Sequence, residues 1–240
     1  MTNTWPEIKP GVVDIVLPCH RSNAPLLARS IGSVMSQTYQ DWVLTVVDDE
    51  NCPEFAGWVR EAGRGDPRVK FLSNGKNIGL PATLERGFMS GTGEFVGFTS
   101  DDNWYEPSFM EEMASFMRSE QLGFCRCMQI HVDPAGREMH LFDSRHGDSE
   151  LPRIKHDGHL GGGHLLRRST YFAVVDRFGV GWDTALQGIE DLDMYYKIIE
   201  VGAKVGFLDK ALYHYRVGTS RFARTAVAEA RQRFMKKWGI

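Results

Sequence analysis

What this 240-residue chain lacks narrows its function early. It has four cysteines, Cys19, Cys52, Cys125 and Cys127, and none forms a Cys-x-x-Cys pair. Neither a disulfide framework nor a cysteine zinc site is indicated, and reduced buried thiols are expected. No apolar run approaches the ~20 residues that cross a bilayer. The opening Met1 to Gly11 carries Lys9 but no apolar stretch, so it does not read as a signal peptide, and a cytoplasmic location is expected. An excess of one charge is missing too. Twenty-eight basic and 31 acidic residues leave a net charge of −3, which supplies no field for nucleic acid. The glycine loops of common nucleotide sites are absent. Pro18-Cys19-His20-Arg21-Ser22-Asn23 stands where a dinucleotide fold would place Gly-x-Gly-x-x-Gly. No Gly-x-x-x-x-Gly-Lys-Ser/Thr loop occurs, nor the Gly-rich, Arg-containing loop of sugar nucleotidyltransferases. Internal repeats and low-complexity linkers are also missing.

What is present is an alternation of strand and helix signals. Apolar runs at Val12 to Leu17, Val43 to Val47, Val69 to Leu72 and Glu94 to Thr99 read as strands. Helical spacing occupies Pro25 to Gln37, Glu54 to Ala62 and Pro81 to Met89. That order predicts a parallel sheet covered by helices on both faces, with ligands at the carboxyl ends of its strands. The polar residues at those ends are His20 and Arg21, Asp48 and Asp49, and Asp101 and Asp102. Beyond them, helices are predicted at Pro107 to Met117, Ser169 to Arg177, Glu190 to Val201 and Ser220 to Trp238. Strands are predicted at Phe124 to Val132, Val205 to Leu208 and Ala211 to Val217. Asp133 to Gly163 reads as a hairpin and a long loop.

The Ser100-Asp101-Asp102-Asn103 run is the sharpest chemical signal. Adjacent carboxylates at a strand exit raise each other's pKa and are tolerated when a hard cation sits between them. An Asx-rich turn that ends the strand is the alternative. Glu190-Asp191, with Asp193 two residues on, opens a helix. Helix capping explains acids there, and so does a general base facing the crevice. His156, His159 and His164 lie in a Gly-rich stretch without the i, i+4 geometry of catalytic zinc sites, and a substrate-side loop is expected. Trp104 and Trp182 are candidate sugar-stacking faces, or else core. The last helix carries an apolar stripe, Ala223, Val227, Ala230, Phe234 and Trp238, flanked by Arg221, Arg224, Arg231, Arg233, Lys236 and Lys237. Such a helix packs on its own core or lies on an anionic membrane.

In order and spacing these segments resemble the family-2 glycosyltransferases of the GT-A fold over nearly the whole chain. Ser30 to Asp49 carries the most specific match, a Ser-Ile-x-Ser-x-x-x-Gln-Thr-aromatic segment followed by a strand ending Asp-Asp. Asn77-Ile78-Gly79 resembles the phosphate-side loop, Gly93 to Asp102 the strand into Asp-x-Asp, Glu190 to Asp193 the Glu-Asp motif, and Tyr213 to Ser220 the closing Tyr-Arg strand. Departures are His20-Arg21 for Tyr-Asn, Glu50-Asn51 for Gly-Ser, Thr99 for the first acid of Asp-x-Asp, and Gly218 for a His.

The resemblance implies a single GT-A domain over residues 1–240, with a nucleotide-binding half (1–103) and an acceptor-side half (104–240). It implies inverting transfer of a sugar from a nucleoside-diphosphate sugar (UDP, dTDP or GDP type) to a hydroxyl acceptor, assisted by Mn²⁺ or Mg²⁺. Asp191, with Glu190 as its rival, is the expected base. Pro18, His20, Asp49, Asn77, Gly79 and Asp101 would hold the donor. Asp102 and Asp101 would hold the metal, with His214 standing in for the missing His. A binding module without transfer activity is the alternative. Peripheral membrane contact through the last helix is a further expectation.

Overall fold

A computed structural model describes residues 4–143, 162–219 and 224–240. The first half follows the predicted alternation: β1 (Lys9–Cys19), α1 (Ala24–Met35), β2 (Trp42–Asp48), α2 (Phe55–Ala62), β3 (Val69–Ser73), α3 (Leu80–Ser90) and β4 (Gly93–Phe98). Strands β3, β2, β1 and β4 lie side by side and parallel. The second half holds β5 (Trp104–Tyr105), α4 (Phe109–Ser119), β6 (Phe124–Val132), β7 (Glu138–Phe142), β8 (His164–Arg167), α5 (Arg168–Phe178), α6 (Glu190–Glu200), β9 (Val205–Arg216) and α7 (Arg224–Trp238). The sheet continues from β4 through β8, β6 and β9 to β5, and β7 hangs on β6. Strand β8 runs antiparallel to both β4 and β6, while β6 and β9 are parallel to each other. The carboxyl ends of β1, β2, β3, β4, β6 and β9 therefore share one edge of the sheet.

Two strands were not expected, β5 and β8, and one expectation merges. Val205 to Leu208 and Ala211 to Val217 form a single strand whose pairing slips at Cys127–Met128 to pass Asp209 and Lys210. His164 lies on β8, 4% exposed and edge-on to Phe98, so it is part of the core rather than of a substrate loop. His156 and His159 fall outside the described residues. The buried thiols are as expected: Cys19, Cys125 and Cys127 are buried and outside any disulfide, and burial pushes the Cys127 thiol up.

Side chains alternate across the sheet into two cores. Val13, Ile15 and Leu17 of β1 join α1, α2 and α4; Val16 faces α3, α5, α6 and α7. On the second face Asp14 meets Arg168 at 2.6 Å, and both side chains are almost wholly buried. The Arg168 guanidinium also donates to the carbonyls of Gly93 and Phe88, and Asp14 accepts from the Gly93 amide. An ion pair with its remaining donors satisfied is the form in which a buried charge is tolerated.

The last helix packs on the protein. Ala230 and Phe234 are buried, Phe234 is edge-on to Tyr196 at 4.9 Å, and Trp238 lies against Tyr196 and Phe178. Ala223 falls outside the described residues. Asp193 on α6 is fully buried and binds Lys197, Lys237 and the Trp238 indole N–H, each at about 3 Å. Among the described residues no helix is long and apolar enough to cross a membrane.

Candidate active site

The sequence-specific Ser30-to-Thr38 segment works as a staple between α1 and the acidic turn. Ser30 donates to the Ser100 carbonyl at 3.0 Å, and the Tyr105 amide donates to Ser33 at 3.2 Å. Gln37 donates to the Glu106 carbonyl and accepts from the Met110 amide, and Thr38 donates to Glu111. Residue types with short polar side chains are needed here because each must reach a main-chain group across a helix–loop contact. The result fixes the turn that carries Asp101 and Asp102.

Within that turn Asp101 is 4% exposed, while the half-buried Asp102 accepts from the Ser100 hydroxyl at 2.7 Å. Asn103 accepts from the Arg216 amide and donates to Ser100, tying the turn to β9. Thr99 explains its own departure from an acid. It is fully buried, and its hydroxyl meets the buried Tyr213 hydroxyl at 3.2 Å. A carboxylate at that point would be stripped of water against a phenol whose pKa burial already raises.

The opposite side of the edge is built around Asp49. Pro18 lies on the buried part of β1 beside Val47, and Asp49 follows β2. Asp49 is 3% exposed and accepts from the Asn74 side chain (2.9 Å) and from the amides of Ile78 (2.8 Å) and Gly79 (3.1 Å). Its carboxylate therefore holds the 74–79 loop. Asn77 accepts from the Gly79 amide, and its side-chain nitrogen lies 3.0 Å from the His20 ring. Gly79 has φ +88°, and a Cβ there would stand 2.6 Å from Gln187 Oε1, so only glycine lets the loop meet the segment before α6. Two departures from the family pattern also meet here: the Arg21 amide donates to the Glu50 carboxylate at 2.8 Å.

The third component is the start of α6. Glu190 is 6% exposed and accepts from the Gly188 amide, and Asp191 is half-buried. Burial, then the Asp191 charge beside it, raises the Glu190 carboxyl to about 7. A carboxyl raised in the fold favours folding at low pH and loses that contribution as pH climbs through about 7. Glu190→Gln is thus expected to gain on the order of 2 kcal/mol relative to wild type between pH 5 and 8. Urea unfolding at both pH values checks this, and a pH-independent difference would remove the raised carboxyl.

Tyr215 of β9 links the acids. Its phenol is raised by burial, then by the charges of Asp191 and Asp102, so acids from two separate elements lie within electrostatic reach of this one side chain. The sequence reading did not single out Tyr215; its neighbours in the Tyr-Arg strand were the available signal. His214 stands elsewhere. Its Nε2 is 2.5 Å from Glu106 and its ring is stacked on Trp104 at 4.5 Å. Among the described residues no three His, Cys, Asp or Glu side chains gather as a metal cluster, so the expected Asp101, Asp102 and His214 set does not assemble. Nor do the tryptophans offer sugar faces. Trp182 is 1% exposed between Phe88 and Phe98, and Trp104 lies between Arg29 and His214.

A parallel Rossmann-like half, an acidic turn after its fourth strand and an acid pair opening a helix at the same edge define a family-2 glycosyltransferase. The sequence profile of glycosyl transferase family 2 matches residues 14–179, more than half of the chain, and the chain belongs to that family. It is 26% identical over 215 residues to the O-antigen biosynthesis protein RfbC of Myxococcus xanthus, spanning 88% of this chain and 16% of that one. It is 25% identical over 232 residues to the putative glycosyltransferase EpsE of Bacillus subtilis, spanning 92% and 77%. The solved structure of S. aureus TarS 1–349 in complex with UDP-GlcNAc has the same fold, with a TM-score of 0.75 at 16% identity over 94% of this chain and 66% of that one. The chain thus spans a small part of RfbC and about two thirds of that TarS structure.

Proposed function

We propose that this protein transfers a sugar from a nucleoside-diphosphate sugar to an acceptor hydroxyl with inversion at the anomeric carbon. The observation that carries the reading is that the loop held by Asp49 meets the segment before α6, at Gly79 and Gln187, on the sheet edge that also carries the Asp101-Asp102 turn. TarS is complexed with UDP-GlcNAc and with UDP, which favours a UDP-type donor for this chain as well.

In this reading the loop held by Asp49 receives the nucleotide, with His20 stacking on the base and the 77–79 segment at the diphosphate. The base reaches Asp49's remaining lone pair, so the loop and the nucleotide depend on one carboxylate. Asp49→Ala is expected to weaken UDP affinity by ~1–3 kcal/mol, the cost of losing a hydrogen bond to a charged group. Calorimetry checks it, and an unchanged dissociation constant removes Asp49 from the donor site.

Asp191, at the positive end of the α6 dipole, takes the acceptor hydroxyl's proton as the oxygen attacks. Its buried neighbour Glu190 holds its proton up to about pH 7 and so leaves the base role to Asp191. Two carboxylates on one turn suit Mg²⁺ or Mn²⁺, which take their other oxygens from substrate phosphates and water. Held by Asp101 and Asp102, such an ion would supply positive charge to the departing diphosphate.

The experiment is donor turnover with and without excess chelator. Activity is expected to vanish in chelator and return with Mn²⁺, and Asp102→Ala is expected to remain inactive with metal restored. Full turnover in chelator would reject the metal. Absence of both transfer and donor hydrolysis, with UDP still bound, would favour a binding module on the same fold.

A further inference from the structure

Two cations near the acidic turn have no acid paired with them among the described residues. Arg29, exposed on α1, lays its guanidinium 3.3 Å from the centroid of the Trp104 ring. Arg216, at the end of β9 and 3% exposed, brings its guanidinium carbon to 5.6 Å from the same centroid. Among the described residues the Arg216 side chain donates to carbonyls alone: Nε to that of Asp102, and Nη1 to those of Asp133 and Pro134. Among the described residues no carboxylate pairs with either guanidinium. The nearby Asp133 carboxylate is taken by Arg137. The neighbouring His214 ring adds no acceptor for them, since its Nε2 faces Glu106 and its Nδ1 is buried without a partner.

The two heads converge on one point. A Cβ added to Gly136, in the β6–β7 turn with φ +84°, would lie 3.0 Å from Arg29 Nη1 and 3.5 Å from both Arg216 Nη atoms. Only a glycine fits beside this cradle of three guanidinium nitrogens, of which Arg216 Nη1 already donates to the Asp133 and Pro134 carbonyls, so Arg29 and Arg216 Nη2 hold the donors to spare. Like charges held this close are unfavourable without a counter-ion, and burial followed by the Arg216 charge holds Arg29 below its usual range. Stacking on Trp104 fixes Arg29's position, so the fork is preorganised rather than free to swing away.

The cradle's place says which substrate it meets. Arg216 ends β9 and the Gly136 turn follows β6, so both stand at the same sheet edge as Asp102. The donor loop lies with β1, β2 and β3. Strands β6 and β9 lie on the other side of β4. The cradle is therefore beyond the acidic turn from the nucleotide, and Arg216 Nε holds the Asp102 carbonyl at 3.1 Å. Resting on the transfer reading, we propose that Arg29 and Arg216 bind an oxyanion carried by the acceptor, a phosphate group. Planar forked donors are the side chains suited to bidentate capture of such a group. The acceptor then carries a phosphate group rather than being a neutral sugar.

Methyl phosphate titrated into the intact protein, with excess chelator and no donor, tests the site by calorimetry. Wild type is expected to bind it, Arg29→Met to bind about tenfold more weakly or less, and Arg29→Lys to fall between them, since charge remains but the fork is lost. Saturating UDP is expected to leave the binding in place. No binding, equal affinity in Arg29→Met, or displacement by UDP would each overturn the proposal. Acetate, run in parallel, separates the sources: weaker binding than methyl phosphate supports phosphate, whereas equal binding overturns the phosphate assignment in favour of a carboxylated acceptor. UDP affinity, read on the same samples, belongs to the transfer reading. Its absence in wild type would reject that reading and leave the anion result standing.

Discussion

Replacing Asp191 by Asn is expected to lower kcat by ~10²–10⁴ while donor affinity stays near wild type. The amide keeps the shape of the first turn of α6 but cannot accept the hydroxyl's proton. The same change removes the charge that raises Glu190, so Glu190 should ionise at lower pH in the variant. That supplies a control: a variant with altered Glu190 titration and full turnover would show that Asp191 is present and ionised but idle. If Glu190→Gln alone abolishes transfer, the base is Glu190. Single-turnover measurements at saturating donor read the chemical step, and calorimetry with UDP reads binding.

Asp193→Ala is expected to cost about 3–5 kcal/mol of stability, the range for stripping one partner from a buried ion pair. Lys197 is fully buried and Lys237 only partly exposed, and both converge on that carboxylate. Lys237 can turn to Asp183, 2.8 Å away, but Lys197 keeps only the carbonyls of Val180 and Gly181. Adding Lys197→Met to Asp193→Ala should recover part of the loss, because a well-packed apolar side chain replaces an orphaned charge. Urea unfolding of the single and double variants decides it. A loss under about 1 kcal/mol would mean that water reaches the network.

Asp193 also marks the boundary of what the sequence made legible. Helical geometry turns it about 200° away from Asp191, so a separate role was expected. Nothing in the local sequence says that the role is to receive Lys237 and Trp238 from a helix 44 and 45 residues later. The strands β1 to β4 were legible because burial on both faces makes each a continuous apolar run. β5 was not, being two residues long, and neither was β8, whose His164 and Arg167 interrupt a short apolar pair. β9 read as two strands because Asp209 and Lys210 break its pattern, although the backbone continues through a slip in register. The acids of the site were visible by type and position. That Tyr215 feels the charges of both Asp191 and Asp102 was not, since it depends on β9 lying beyond β6. His214 shows the reverse error: its residue type suited a metal, and its surroundings give it to Glu106 and Trp104.

The Asp14–Arg168 pair joins positions 154 residues apart. Asp14 sits on β1, between β2 and β4, deep within what looks like a self-contained nucleotide half, yet its counter-ion arrives from α5. A piece ending at residue 103 would bury that carboxylate with no guanidinium to meet it, and Arg168 transplanted alone would be equally stranded. The two halves are consequently poor units of exchange. Recombination that swaps the acceptor side to change specificity must carry positions 14 and 168 as a matched set, so new acceptor preferences on this scaffold are reached more readily by altering loops at the sheet edge than by shuffling halves.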